Sequence, residues 1–517
     1  MSTDYVLAHD LGTTGNKAVL YDGDGNLVAD AISPYETLYA GGGRVEQSAD
    51  DWWVAVCRST REVIGRAGAR AEDVRAVSFS AQMMGCLPVD AAGEPLRNAI
   101  IWADTRSGEQ AGRLAEAIGG DEVYGITGHR LSSSYSATKL MWVRDNEPDV
   151  YRRTCKMVQA KDFVVHRLTG VFLSDYSDAC GTNLFDIRGK HWSEDILQAA
   201  DLPRTVLPDV VPSTTIAGRL LPERAEEVGL AAGTPIVVGG GDGACATVGA
   251  GVVESGRMYN VLGTSSWIAG ASKEPYFDPE QRTFNWVHLD GELYNPCGTM
   301  QGAGFSYSWF REVLGESDAL AAEQSGVGIY ELLNGYAESS PVGANGLLFL
   351  PYLMGERSPW WNPNVRAAFI GLDAAHSRKD MVRAVLEGVA LNLKIILDVF
   401  EAVEPVDALV LIGGGARNRV WRKILSSAWN RSLDVPGSVE NATSMGAAVC
   451  GGVAVGMYPG FEVATRFARP ADRVEPDGRA AEVYERLYPV FCDVYRALVP
   501  AFDALAEFRR QRTEQKR

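Results

Sequence analysis

The sequence predicts an α/β protein built from two related lobes, and three observations carry that prediction. A strand–turn–strand–turn–strand meander opens the chain over residues 5–32. A shorter hairpin of similar form, an apolar run followed by Gly-Thr-Ser, returns at residues 258–271. Between and after them, apolar β-branched runs end in glycine or polar residues and alternate with helical patterns.

In chain order, residues 5–10 read as a strand, residues 12–16 as a turn and residues 17–21 as a second strand. A turn at 22–26 leads into a third strand at 27–32. A P-loop or dinucleotide-binding unit places a helix after its glycine-rich turn, whereas a strand follows here. The first turn offers the N–H groups and hydroxyls of Gly12, Thr13 and Thr14 to phosphate oxygens, with Lys17 as a nearby cation. Asp10, at the strand end, could hold Mg²⁺ directly or through water. An ordinary hairpin fits the same residues.

A helix is predicted over 48–67, starting near Ser48 or Asp50, with Trp52, Trp53, Val56 and Val63 on its apolar side. Residues 74–79 read as a strand ending at Gln82, Met83, Met84 and Gly85. Residues 100–106 repeat that form, with Trp102, Asp104 and Arg106 at the end of the apolar run. Ligands in open α/β sheets sit beyond such strand ends. Core filling explains the methionines equally well, and a local ion pair explains Asp104 with Arg106. Residues 107–205 alternate helices and loops.

The stretch from Pro235 to Ala244 is organised differently. An apolar run leads into Gly239, Gly240 and Gly241, and a lone carboxylate, Asp242, follows among small residues. Glycine serves where the backbone turns sharply or a ligand comes close, so Asp242 is a candidate general base. A glycine-rich turn with a solvated aspartate fits as well. Farther on, residues 258–262 and 267–271 form the second hairpin around Gly263, Thr264 and Ser265. Residues 407–412 read as a buried strand running into Gly413, Gly414, Gly415 and Asn418, before a helix at 421–429. There, free N–H groups and missing side chains suit a flat ring against the backbone; a close strand-to-helix turn is the plainer reading. Beyond Pro476, Tyr484, Leu487, Phe491 and Tyr495 stand at helical spacing. Arg509, Arg510, Arg512, Lys516 and Arg517 read as a frayed, solvated basic tail.

The 517 residues suggest more than one domain. A formal charge of −17 argues against nucleic acid or an anionic membrane as the main partner. The 6 histidines show no close pairing and the 8 cysteines no CxxC, so neither zinc nor a disulfide framework is indicated. Scattered thiols fit a reducing cytoplasm. Residues 1–20 carry no secretory pattern and no run of ~18 apolar residues spans a bilayer, so a soluble cytoplasmic protein is expected.

Over residues 4–500 the motifs resemble those of the FGGY carbohydrate kinases, most closely the xylulokinase-like branch of pentulose kinases. Asp10 to Lys17 is similar to the family's first phosphate motif and Leu262 to Ser265 to its second. Gly240 to Gly243 resembles its catalytic-Asp motif, and Gly413 to Asn418 its adenosine motif. Residues 134–146 resemble the first family signature, and residues 367–372 with 380–387 the second. Residues 351–359 resemble the approach to the latter.

The resemblance implies a two-lobed actin-like ATPase fold, with RNase H-like lobes around a central cleft. Residues 1–250 would form the N-terminal lobe, which holds most of the sugar and the catalytic Asp. Residues 251–517 would form the nucleotide-binding lobe with a C-terminal helix and basic tail. It implies transfer of the γ-phosphate of ATP, with Mg²⁺, to a small sugar, and is compatible with a homodimer. Asp242 would be the base. Gln82, Met83, Met84, Trp102, Asp104, Asp242 and Gly243 would meet the sugar. Thr13, Thr14, Lys17, Gly263, Thr264, Ser265, Gly304, Ser308, Gly414, Gly415 and Asn418 would bind ATP, with Asp10 and Asp242 organising the metal.

Xylulokinases carry His where Met84 stands and commonly Asn where Gly243 stands, so two hydrogen-bonding groups are missing here. A pentulose such as xylulose is the expected substrate, with ribulose, erythrulose or a C4–C5 polyol as alternatives. Two remote alternatives are a non-catalytic actin-like ATPase module and an NAD-dependent dehydrogenase. The latter follows from a loose GxGxxA match at Gly241 to Ala246.

Overall fold

The computed structural model describes residues 4–437 and 440–514. Seven strands of the first half form one sheet: β1 (Tyr5–Leu11), β2 (Gly15–Asp22), β3 (Leu27–Pro34), β4 (Val74–Ala81), β5 (Ile216–Arg219), β6 (Pro235–Val237) and β7 (Gly240–Gly241). Their order is β5-β6-β4-β1-β2-β3, with β7 also on β4. The meander pairs antiparallel, Asp10 opposite Lys17, while β4 and β6 run parallel to the centre. Helix α1 (Ala49–Ala67) begins where Ser48 accepts the N–H of Asp51, and its Trp52, Val56 and Val63 are buried.

The glycine loop ends β7 at the start of α2 (Asp242–Gly249). Seven strands of the second half repeat the plan: β8 (Met258–Leu262), β9 (Ser266–Gly270), β10 (Phe284–Val287), β11 (Tyr294–Met300), β12 (Ala408–Ile412), β13 (Ser432–Pro436) and β14 (Pro470–Val474). Their order, β10-β11-β9-β8-β12-β13-β14, matches the first sheet position by position from β14 to β11. In each sheet an antiparallel hairpin sits beside two parallel strands and an antiparallel edge strand. The repeated hairpin is thus the visible part of a repeated sheet.

The second core is organised by α3 (Arg378–Glu401), whose start is fixed by a reciprocal cap between Ser377 and Asp380 and which is buried along most of its length. Helices α4 (Arg419–Trp429), α5 (Ala442–Ala454) and α6 (Gly478–Glu514) follow. Although α5 belongs to the second half, its Ala447, Ala448, Val449 and Cys450 pack with Val6, Ala8 and Ala76 of the first sheet. Helices α2 and α5 touch backbone to backbone. A Cβ on Gly446 would meet the Cys245 carbonyl at 1.9 Å, and one on Gly249 the Ala442 carbonyl at 1.8 Å. Only glycine permits that approach, and it brings the N-termini of both helices to the end of β1. A division of the chain at residue 250 therefore does not divide the packing.

Two expectations need correction. The apolar run after Ala99 is not a strand of the main sheet. Only Ala99–Ile100 pairs, with Arg44–Gln47 in a small separate sheet, so Trp102 and Asp104 stand on a loop. The basic tail is not frayed: α6 continues through Arg509, Arg510 and Arg512, with Arg510 paired to Glu507. Lys516 and Arg517 lie outside the described residues. No helix among the described residues is long and apolar enough to cross a membrane.

Candidate active site

Asp242 is the first residue of α2, at the point where the glycine loop leaves the sheet. The loop has no room for side chains. A Cβ on Gly239, at φ +73°, would lie 2.1 Å from the Phe79 carbonyl, and one on Gly241 would lie 2.4 Å from Met83 Sδ. Asp242 Oδ1 accepts the N–H of Gly243 at 2.8 Å. The side chain is exposed to the cleft, with protein on its other sides. Loss of bulk water, and then the neighbouring charge of Asp10, push its pKa up to about 7. Solvent in the cleft moderates that push.

Asp242 lines a cavity of about 190 Å³ together with Thr13, Met83, Met84, Trp102 and Gly243. The opposite wall comes from the second half: Ser265, Trp267, Phe284, Trp286, Cys297, Thr299 and Arg357. The Trp102 indole N–H donates to Thr13 Oγ1 at 3.0 Å, leaving that hydroxyl its own proton to give. The Arg357 guanidinium stacks near Phe284 and Trp361, at 5.9 and 5.5 Å, and has no hydrogen-bond partner among the described residues. Its backbone N–H is held by Glu356 Oε1 at 2.9 Å. Met84 adopts φ +64°, and its carbonyl accepts from Lys139 Nζ at 2.8 Å. The same buried ammonium reaches the carbonyls of Ile101 (2.8 Å) and Ser134 (2.6 Å), so one side chain ties the two loops that carry Met84 and Trp102.

The first hairpin turn is braced from behind. Gln47 donates to the Thr13 carbonyl at 2.6 Å, and Tyr35 donates to that of Gly12. Asp10 accepts from Ser80 at 2.9 Å and from Thr443, on α5, at 2.7 Å. Burial pushes its carboxyl up, while those two hydroxyls and the charge of Lys17 oppose the shift. Lys17 itself donates to Asn441, beside the start of α5.

A second cavity, of about 580 Å³, lies in the second half, between the second hairpin turn and α4. Gly263, Thr264, Gly304, Ser308, Gly414, Gly415 and Asn418 line it, with Tyr307, Tyr330, Asn334, Arg417 and Trp421. Gly413, at φ +90°, and Gly415 lie against Leu262, where a Cβ would meet its backbone within 2.9 Å, whereas Gly414 has open space. That open backbone between aromatic side chains accommodates a planar base. The Gly304 N–H donates to the Gly263 carbonyl at 2.8 Å, fixing the turn toward the first cavity's Ser265.

Two cavities, an isolated carboxylate on the smaller one and a hydroxyl-bearing turn from each half are the parts of a phosphoryl-transfer site. Comparison with known proteins decides the family. The N-terminal domain model of the FGGY family of carbohydrate kinases matches residues 5–249, and its C-terminal domain model matches residues 258–455. The chain belongs to the FGGY family of carbohydrate kinases. A xylulose kinase of Bacillus subtilis is 32% identical over 508 residues, covering 98% of this chain and 99% of that protein. A gluconokinase of the same organism is 30% identical over 510 residues, covering 98% and 99%. The crystal structure of a ligand-bound xylulose kinase from Lactobacillus acidophilus superposes with a TM-score of 0.90 at 25% identity, covering 97% of this chain and 100% of that one. The kinase is therefore an ATP-dependent phosphotransferase with an alcohol acceptor on a sugar.

Several expected site residues stand elsewhere than the sequence suggested. Asp104 is fully buried and does not line the smaller cavity. Its carboxylate is spent on Arg106, at 2.6 Å, and on the N–H of Val45, at 2.6 Å. Gln82 is buried behind the cavity, donating to Gln47 at 2.7 Å. Asn418 lines the larger cavity, but its oxygen caps α4 and its amide donates to Asn334 at 2.7 Å. Thr14 is exposed at the turn tip, and neither it nor Lys17 is among the described residues lining these two cavities. The smaller cavity also takes more of its wall from the second half than expected. Trp267, Phe284, Trp286 and Thr299 carry no local motif, and their signal is the alternation of β9 to β11 around the second turn; Arg357 lies in the 351–359 stretch, whose motif did not mark it as a wall of this cavity.

Proposed function

We propose that the kinase phosphorylates a pentulose such as xylulose, with another ketose (ribulose, erythrulose) or a C4–C5 polyol as the alternative. The supporting observation is the position of Asp242, on the smaller cavity between two hydroxyl-bearing turns. In this reading Asp242 takes the proton of the attacking hydroxyl, whose oxygen bonds to the γ-phosphorus as the bond to the β-phosphate oxygen breaks and ADP leaves. Thr13, Thr14, Thr264 and Ser265 hold phosphate oxygens, Lys17 offsets charge, and Gly414 and Gly415 receive the adenosine. Among the described residues no group of three or more His, Cys, Asp or Glu could hold a metal. Asp10 and Asp242 therefore fit only a Mg²⁺ carried largely by water and phosphate oxygens, where it would neutralise phosphate charge. All eight cysteines are free, which fits a reducing cytoplasm.

Arg357 favours a second reading, a sugar acid such as gluconate. Among the described residues it is the one cation lining the cavity, and a carboxylate would satisfy its open donors. Acceptor-dependent ADP release across C3–C6 ketoses, aldoses, polyols and aldonates tests both. Xylulose as the best substrate supports the first reading. Gluconate as the best, lost in Arg357→Met, supports the second. No acceptor-dependent release with any sugar would overturn both.

A further inference from the structure

Behind the glycine loop lies Asp175, a carboxylate with no solvent access. Its Oδ2 accepts from the hydroxyls of Ser177, at 2.5 Å, and Ser213, at 2.8 Å. It also accepts the Ser177 N–H at 2.8 Å, capping the short helix Tyr176–Cys180. Both serines reach onward to the loop that carries Asp242. Ser177 Oγ accepts the N–H of Gly241 at 3.0 Å, and the Ser213 carbonyl accepts that of Gly239 at 3.0 Å. Gly240 lies between them, where a Cβ would come within 2.9 Å of Ser177 Oγ. Lys161, also fully buried, supplies the opposite charge, 3.1 Å from Asp175, 2.8 Å from Asp162 and 3.4 Å from Asp178.

A buried charged cluster of this kind is no better for stability than well-packed apolar side chains. What it supplies is geometry. Three successive glycines form the most pliable segment a chain has, yet the residue at its end must meet a hydroxyl within a fraction of an ångström. None of these groups lines either cavity, so none touches a substrate.

We propose that Asp175 is a positioning residue for phosphoryl transfer: through Ser177 and Ser213 it fixes the Gly239–Gly241 loop and thereby the approach of Asp242 to the acceptor hydroxyl. This rests on the reading of Asp242 as the base. Ser177→Ala removes the acceptor of the Gly241 N–H with little change in volume. It is expected to lower kcat by about 10- to 100-fold, with KM for ATP unchanged and cooperative thermal unfolding retained. In an Asp242→Asn background the same change should cause no further loss, because its effect passes through Asp242. An equal loss in both backgrounds, or an unchanged kcat beside an inactive Asp242→Asn, would overturn the anchoring role alone. Normal turnover in Asp242→Asn would overturn the base reading and the proposal with it. Should Ser177→Ala fail to fold, Ser213→Ala gives the second test. It keeps the carbonyl to Gly239 and loses only the tie to Asp175, and the same pattern is expected.

Discussion

The carboxylate of Asp10, at the end of β1, accepts a hydrogen bond of 2.7 Å from Thr443 in the first turn of α5, joining positions 433 residues apart. With Lys17 and Asn441 beside it, this contact holds the first hairpin turn to a helix from the other half of the chain. The positive end of that helix also favours the ionised form of Asp10.

Thr443→Val keeps the shape of the side chain and deletes the donor. A lost hydrogen bond to a charged group is worth about 1.5–3 kcal/mol, so kcat should fall about tenfold or more. The Mg²⁺ concentration for half-maximal rate should rise. Thr443→Ser should behave nearly as wild type. Steady-state rates over a Mg²⁺ titration check this.

The pH dependence follows from Asp242. A base is active when ionised, and partial loss of bulk water in the cleft, with the charge of Asp10, raises this carboxyl toward about 7. Below that value the ionised fraction falls about tenfold per pH unit, so kcat/KM should decline on the acid side from near neutrality. A limb lying instead near pH 4 would show an ordinary, unshifted carboxylate.

Two adjacent glycines should separate binding from folding. At Gly414 an added Cβ meets nothing within 4 Å, whereas at Gly415 it meets Leu262 Cγ at 2.5 Å. Gly414→Ala should leave stability within about 0.5 kcal/mol and raise KM for ATP. Gly415→Ala should cost about 1–3 kcal/mol by overpacking. Denaturant unfolding and ATP kinetics on both variants distinguish them.

Met84→His and Gly243→Asn should together raise kcat/KM for xylulose about tenfold, since each returns a hydrogen-bonding group to the sugar-side wall. The sites accept them. An added Cβ at Gly243 has only an ordinary contact, 3.6 Å from Trp286 Nε1, and histidine is enriched at positive φ such as that of Met84. Unchanged xylulose kinetics would assign specificity to other positions, Arg357 first among them.

The features legible in the sequence were those that punctuate the chain locally. The hairpin turns at Gly12 and Gly263, the glycine loop before Asp242 and the turn at Gly413 all announce themselves by missing side chains at strand ends. What stayed hidden depends on packing between distant segments. Asp104 looked like a ligand because its run resembled a strand end, and only the fold shows Arg106 and Val45 consuming its oxygens. Gln47, a single residue between a hairpin and α1, holds Thr13, Trp52 and Gln82 together with no motif to mark it. The return of α5 to the first sheet was written only in small residues such as Gly446, whose purpose requires knowing its neighbour.

Asp242→Asn, assayed in one preparation for nucleotide affinity and for acceptor-dependent ADP release, decides whether this carboxylate is the base. ATP affinity should stay close to wild type, with turnover reduced at least ~10²-fold. Turnover near wild type, at unchanged affinity, would contradict that role.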